Sequence, residues 1–120
     1  YATNDTIAKK SEMLAAFLRA TGKGWAYANA NREKAVDALV KEYPNLVRAD
    51  EIEAADVMLA YEFTAATKAN GWGQMDMNNW KEQIAVYDDL KQFSAGAPKL
   101  DAVATTAILD MTKDKRPKLG

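Results

Sequence analysis

The chain has 120 residues, the length of one domain, and 48% hydrophobic with 28% charged residues is a composition that excludes a disordered protein. Its 16 basic and 17 acidic residues leave a net charge of −1, so a strongly basic nucleic-acid-binding protein is not expected. The absence of histidine and cysteine excludes disulfides, Cys/His zinc sites and imidazole- or thiol-dependent triads in this chain. We therefore expect no catalytic residue, no metal site and no cofactor.

Apolar residues recur at helical spacing through nearly the whole chain, and alternating strand patterns are nearly absent. Residues 1–4 are expected to end an extended segment, and residues 4–6, Asn-Asp-Thr, offer an N-cap for a short helix through Lys10. Ser11 indicates the start of a second, longer helix. Gly22 and Gly24 lie inside it, and each either admits a closely packed neighbour or is a tolerated weak spot.

Two further helices are predicted in the middle of the chain. Asn31 is suited to cap the first of them, and Pro44 is suited to end it. Asp50 and Glu53 have the spacing of a capping box, with an aspartate at the cap, which predicts the start of the second. The apolar stripe of that helix is wide, so we expect burial on more than one side up to about Asn70.

Residues 70–73, Asn-Gly-Trp-Gly, predict a turn because asparagine and glycine tolerate positive φ. Asp76 is suited to cap the next helix, which is expected to end near Phe93. A linker over residues 94–98 then precedes a last amphipathic helix over residues 100–111.

These elements predict a mainly α fold of five to six helices. Residues 1–112 are expected to form the helical segment, and residues 113–120 a polar, basic, solvated tail. The longest uncharged stretches run to about eight residues, whereas a membrane span needs roughly 20 apolar residues, so no span is predicted.

The residues that resemble known reactive patterns have simpler structural explanations. Asp88 and Asp89 fit a solvated helix face better than an acid–base pair. Gly71 and Gly73 lack the third glycine and the preceding strand of a phosphate-binding loop. Trp72 stands apart, since it lies in a turn between two glycines, where an indole either stacks on a ligand or fills a gap.

Two segments resemble one protein family. Residues 17–39, which begin Phe-Leu-Arg-Ala-Thr-Gly-Lys-Gly-Trp-Ala-Tyr-Ala, are similar to the pattern F-x-R-A-T-x-K-G-W-x-Y-A-x-x-N-P-E-E-A-V of periplasmic substrate-binding proteins. Residues 71–80, Gly-Trp-Gly-Gln-Met-Asp-Met-Asn-Asn-Trp, resemble the pattern G-x-G-x-M-D-x-x-x-W of the same family, in the same order. The family is the nitrate/sulfonate/taurine and thiamine-precursor group that serves ABC importers. Arg32 replaces the usual proline, and Gln74 a commoner aromatic residue.

The resemblance implies the C-terminal helical part of a two-lobed α/β binding protein, roughly twice this length or more, with a ligand cleft between the lobes. It implies a periplasmic protein without catalysis of its own, which delivers a sulfonate, nitrate or thiamine-type precursor to importer subunits in the membrane. Thr3, Asn4 and Trp72 are the residues that we expect to contact the ligand. The helices would lack the lobe they normally cover, so we also expect the isolated chain to pair with that N-terminal lobe or with a second copy.

Two other interpretations stay open. The continuous helical periodicity also fits a self-contained all-helical domain that binds another protein. An enzyme related to the thiamine-precursor branch would need histidine or cysteine residues, and this chain has none.

Overall fold

The computed structural model describes residues 1–118, and within them it consists of helices joined by short loops, with no β-strand. Eight α-helices and one 3-10 helix lie in this range. The α-helices are α1 (Asn4–Lys9), α2 (Ser11–Ala30), α3 (Arg32–Glu42), α4 (Arg48–Glu62), α5 (Ala65–Asn70), α6 (Met77–Asp89), α7 (Leu100–Val103) and α8 (Ala107–Asp110), and the 3-10 helix is Lys113–Lys115. The mainly α prediction is confirmed, but the predicted five to six helices are too few.

The helix α2 runs without a break through both of its glycines, and the two glycines differ in environment. A Cβ added at Gly22 would lie 3.2 Å from Pro117 Cδ and 3.2 Å from Trp72 Cε3, so this position admits a closely packed neighbour. A Cβ added at Gly24 would meet nothing within 4 Å, so Gly24 is a weak spot without a packing reason.

The start of α4 differs from the prediction. The helix begins at Arg48 after an N-cap residue, Val47, that makes no side-chain cap, so the capping box predicted at Asp50 is wrong. Arg48 instead bridges to α3, where its Nε donates to Asp37 Oδ1 at 2.6 Å and its Nη2 to Glu33 Oε2 at 3.2 Å. These long-range ion pairs put the first turn of α4 against α3.

The predicted continuous helix up to Asn70 is broken in two. Phe63 ends α4 and is buried, and Thr64 takes an extended conformation (φ −90°, ψ 175°) that starts α5. The Thr64 hydroxyl accepts from the Thr67 N–H at 3.5 Å, and the Thr67 hydroxyl donates to the Thr64 carbonyl at 2.9 Å. This local threonine pairing competes with helical hydrogen bonding and separates the two helices.

Asp76 caps α6 as predicted, since its Oδ1 accepts from the Asn78 N–H at 2.8 Å. The helix ends at Asp89, earlier than the predicted end near Phe93. Lys91 has a φ of 56°, the left-handed conformation that closes many helix C-termini.

The last predicted helix, residues 100–111, is two short helices. Ala104 is extended (φ −140°, ψ 140°) and ends α7. The Thr105 hydroxyl then accepts from the Ala107 N–H at 3.2 Å at the start of α8.

The prediction of a solvated C-terminal tail is wrong in part, because some of its residues pack against the rest of the chain. Arg116 is only 8% exposed, and its Nη1 donates to the Trp72 carbonyl at 3.1 Å. The Pro117 carbonyl accepts from the Trp72 N–H at 2.8 Å. Leu119 and Gly120, the end of the predicted tail, lie outside the described residues.

The core is thin because each helix contacts few others. The helix α2 lies at the centre and packs against α1, α3 and α8, while α4 packs on α3 and α6 on α7. The buried apolar side chains are Ala15, Val36, Phe63, Ile108 and Leu109. The radius of gyration is 17.1 Å, against about 14 Å for a compact domain of this length. The accessible surface is 8837 Å², against about 6,400 Å² for a compact monomer of this mass.

Much apolar surface therefore stays uncovered. The helix α4 has no buried residue, so the prediction of burial on more than one side is wrong. Its Val57 and Met58 are exposed, and Tyr61 is 81% exposed. Phe17 on α2 is 66% exposed.

Candidate functional site

The glycine-flanked turn predicted at residues 70–73 is present between α5 and α6. Gly71 has a φ of 90° and Gly73 a φ of 80°, values that glycine adopts without strain. The Gly71 N–H donates to the Thr67 carbonyl at 2.7 Å and closes α5. The two glycines allow the chain to present Trp72 from a tight turn.

The indole of Trp72 is half-buried and held by specific contacts. Its Nε1 donates to Glu62 Oε2 at 2.6 Å. Its six-membered ring lies beside the backbone of Gly22, where a Cβ would be 3.2 Å from Trp72 Cε3. Trp72 therefore joins the end of α4 to the middle of α2.

Thr3 and Asn4 lie at the start of α1. Thr3 is its N-cap, and the Thr3 hydroxyl accepts from the Thr6 N–H at 3.2 Å. Both residues are exposed, and their contact with a ligand stays a prediction. Capping accounts for Thr3 without a ligand.

An apolar groove of about 540 Å³ lies between the N-terminal segment, α2, the start of α6 and the last helices. Its lining comprises Tyr1, Ala2, Ile7, Leu14, Phe17, Leu18, Gly73, Met75, Trp80, Val103, Ala104, Thr105, Ile108 and Leu109. None of the three predicted ligand-contacting residues lines it, although their sequence neighbours Ala2 and Gly73 do. We call this feature the apolar groove.

The groove residues were missed as a site because sequence reasoning assigns them to a core. Phe17 and Leu18 belong to the apolar face of α2, and Trp80 to that of α6. Helical periodicity identifies such faces, but it does not show which of them remain uncovered after folding. Met75, in the loop before α6, carries no periodic signal.

The charged groups that interact most strongly lie away from the groove, between α3 and α4. The hydrogen bond from Arg48 holds the pKa of Asp37 below its usual value, and the bonds to Asp37 and Glu33 raise the pKa of Arg48. Arg32 pairs with Asp56 in the same interface. These side chains are exposed, so they fix the relative position of the two helices more than they add stability.

The lining of the groove can make apolar contacts but supplies few polar groups. Its polar side-chain groups are the hydroxyls of Thr105 and Tyr1 and the indole N–H of Trp80. Within residues 1–118, no three Asp or Glu side chains form a group suited to a metal ion. None of the helices in that range is both long and apolar enough to cross a membrane.

Comparisons with known proteins found no match to a family model, to a curated protein or to a solved structure.

Proposed function

We propose that the chain is the helical part of a solute-binding protein that captures a small molecule of the sulfonate, nitrate or thiamine-precursor type for an ABC importer. The proposal rests on the resemblance of residues 17–39 and 71–80 to that family. In this proposal the chain binds and does not catalyse.

One observation supports it more than any other: the two resembling segments meet in space. Gly22 of the first segment lies beside Trp72 of the second. Phe17 and Leu18 of the first line the apolar groove together with Met75 of the second. Two patterns separated by more than 30 residues thus form one structural unit, as expected if they belong to one functional part of a protein.

The uncovered apolar surface also supports the proposal that this chain is one part of a two-lobed protein. Helices that cover a sheet in a two-lobed protein have apolar faces that a few neighbouring helices cannot bury. The exposed apolar side chains on α2 and α4, with the expanded radius of gyration, fit such helices. An α/β lobe packed on these faces would leave a ligand cleft between the two parts.

Within this proposal Trp72, Thr3 and Asn4 contact the ligand from the helical side. The half-buried indole of Trp72 offers a flat apolar face, and Thr3 and Asn4 offer exposed polar groups. The protein would act in the periplasm and meet the importer subunits after the ligand closes the two lobes.

Isothermal titration of the parent protein that contains this chain tests the proposal. The titrants are taurine, an alkanesulfonate, nitrate and an aminopyrimidine thiamine precursor. We expect saturable binding of one class and a loss of at least about 10-fold in affinity in Trp72→Ala. The matched control is Trp25→Ala, an α2 tryptophan outside the turn. Absence of binding to all four classes contradicts the proposed function, and unchanged binding in Trp72→Ala contradicts the assignment of that residue.

The alternative function is a self-contained helical domain that binds another protein. The exposed Val57, Met58 and Tyr61 on α4 favour it, because a contiguous apolar patch is typical of a protein interface. Small-molecule titration separates the two: a chain that binds a protein partner through α4 would bind none of the four titrants, and Tyr61→Ser would weaken its binding of that partner.

A further inference from the structure

Residues 112–117 form a segment that we call the C-terminal strap. Thr112 is 1% exposed and anchors the strap, since its hydroxyl donates to the Leu109 carbonyl at 2.7 Å. At the other end the strap binds both backbone polar groups of Trp72. The Trp72 N–H donates to the Pro117 carbonyl at 2.8 Å, and its carbonyl accepts from Arg116 Nη1 at 3.1 Å.

Glycines lie where the strap approaches most closely. A Cβ at Gly71 would lie 3.0 Å from Arg116 Cβ, and one at Gly22 would lie 3.2 Å from Pro117 Cδ. Both spacings are tighter than nine in ten real Cβ contacts, so an added methyl group would press on the strap, and at Gly22 also on the Trp72 ring. The strap therefore packs against residues 17–39 and 71–80, the two segments that meet at Trp72.

The closed strap has an electrostatic cost that an open strap would not have. Arg116 is 8% exposed, and its Nε is buried without a hydrogen-bond partner among residues 1–118. The ion pairs within residues 1–118 do not include Arg116. A buried guanidinium without a carboxylate loses hydration that a single bond to a carbonyl does not replace. Opening returns Arg116 to water.

We propose that the C-terminal strap is a releasable clasp that opens as a unit while α2 and α5 remain folded, and that its opening uncovers the backbone of Trp72. The strap is bound by few hydrogen bonds and contains one short 3-10 helix, so it belongs among the segments that open before the whole chain unfolds. If Trp72 contacts a ligand, which rests on the proposed function, the strap also controls access to it.

Amide hydrogen exchange of the full chain, followed by NMR without any ligand, tests the clasp. The Trp72 N–H is bonded to the strap, whereas the neighbouring Gly71 N–H is bonded within α5, to Thr67. After correction for intrinsic rates, we expect the Trp72 amide to exchange at least about 10-fold faster than the Gly71 amide. Equal rates at the two amides would overturn the proposal, because the strap would then open only together with α5.

Two matched pairs of variants test whether the fast exchange of the Trp72 amide comes from opening of the strap. Gly22→Ala places a methyl group against Pro117 and should raise the Trp72 rate by roughly another 10-fold, while Gly24→Ala should leave it unchanged. If Gly22→Ala does not fold, Pro117→Gly replaces it, with Pro98→Gly as its control. An equal effect of a variant and its control contradicts the clasp. Amide exchange is measured without a solute. A result that refutes the clasp is therefore distinguishable from a ligand titration that refutes the proposed function.

Discussion

Replacement of each α2 glycine by alanine makes a sharp test of the packing around Trp72. Both positions lie inside the same helix, and an alanine there stabilises a helix by about 1 kcal/mol relative to glycine. At Gly24 nothing opposes this gain, because the added Cβ meets no atom within 4 Å. We therefore expect Gly24→Ala to raise the free energy of unfolding by about 1 kcal/mol, or the Tm by roughly 4 °C.

At Gly22 the same gain is opposed by overpacking. The added Cβ would lie 3.2 Å from both Pro117 Cδ and Trp72 Cε3, and insertion of a methyl group into a tight contact costs about 1–3 kcal/mol. The expected net change for Gly22→Ala is therefore between about 0 and −2 kcal/mol. The two variants should differ by about 1–3 kcal/mol, although the chemical change is identical.

Urea unfolding followed by far-UV circular dichroism measures both variants, since this signal reports helix content and not the tryptophan environment. A stabilisation of Gly22→Ala equal to that of Gly24→Ala would refute the reasoning. It would mean that α2 does not contact Trp72 and Pro117 as described.

Three further substitutions test individual contacts. Glu62→Ala leaves the half-buried indole N–H of Trp72 without its acceptor and should lower the free energy of unfolding by about 1–3 kcal/mol in urea titration. Asp76→Ala removes the α6 cap and should cost about 1 kcal/mol in the same assay. The bond from Arg48 lowers the pKa of Asp37, so the stability it contributes is complete above about pH 4 and is lost as the pH falls through the lowered pKa. The difference in urea midpoint between the native chain and Asp37→Asn should therefore vanish in acid.

Exposed acidic residues whose side chains form no ion pair within residues 1–118 serve as controls. Glu53→Ala on α4 should leave the stability nearly unchanged, and a loss equal to that of Glu62→Ala would mean that the indole bond contributes nothing. Asp88→Ala, near the C-terminus of α6, should not reproduce the loss of the Asp76 cap. A midpoint difference for Asp37→Asn that stays the same from neutral pH into acid would contradict its lowered pKa.

The sequence predicts some of the boundaries that local side chains decide, although not the break that Thr64 and Thr67 make between α4 and α5. Asp76 is followed by a helix and caps it, and Asn-Gly-Trp-Gly makes the expected turn. Where a contact between residues distant in sequence decides a helix boundary, as at the start of α4, the prediction is wrong. Arg48 starts α4 because it binds side chains on α3, and no local pattern around Asp50 contains that information.

The two α2 glycines show the same limit at the candidate site. Gly22 and Gly24 lie two residues apart in one helix, and the contacts of Gly22 with Pro117 and Trp72 distinguish them. The strap itself carries a basic composition that is typical of solvated tails, yet Arg116 is buried by the turn at Trp72. The turn that presents Trp72 was predictable from the flanking glycines. The apolar groove could be identified only from the folded structure.

The exposed apolar faces of these helices are expected to pack against another folded element. Sedimentation equilibrium of the isolated chain, with small-angle scattering on the same sample, tests this claim most directly. We predict species of at least twice the 13.2 kDa chain mass, or a stable complex when the proposed N-terminal lobe is supplied. A well-folded monomer with a radius of gyration near 14 Å, in place of 17.1 Å, would contradict the claim, because the chain would then bury its own apolar faces.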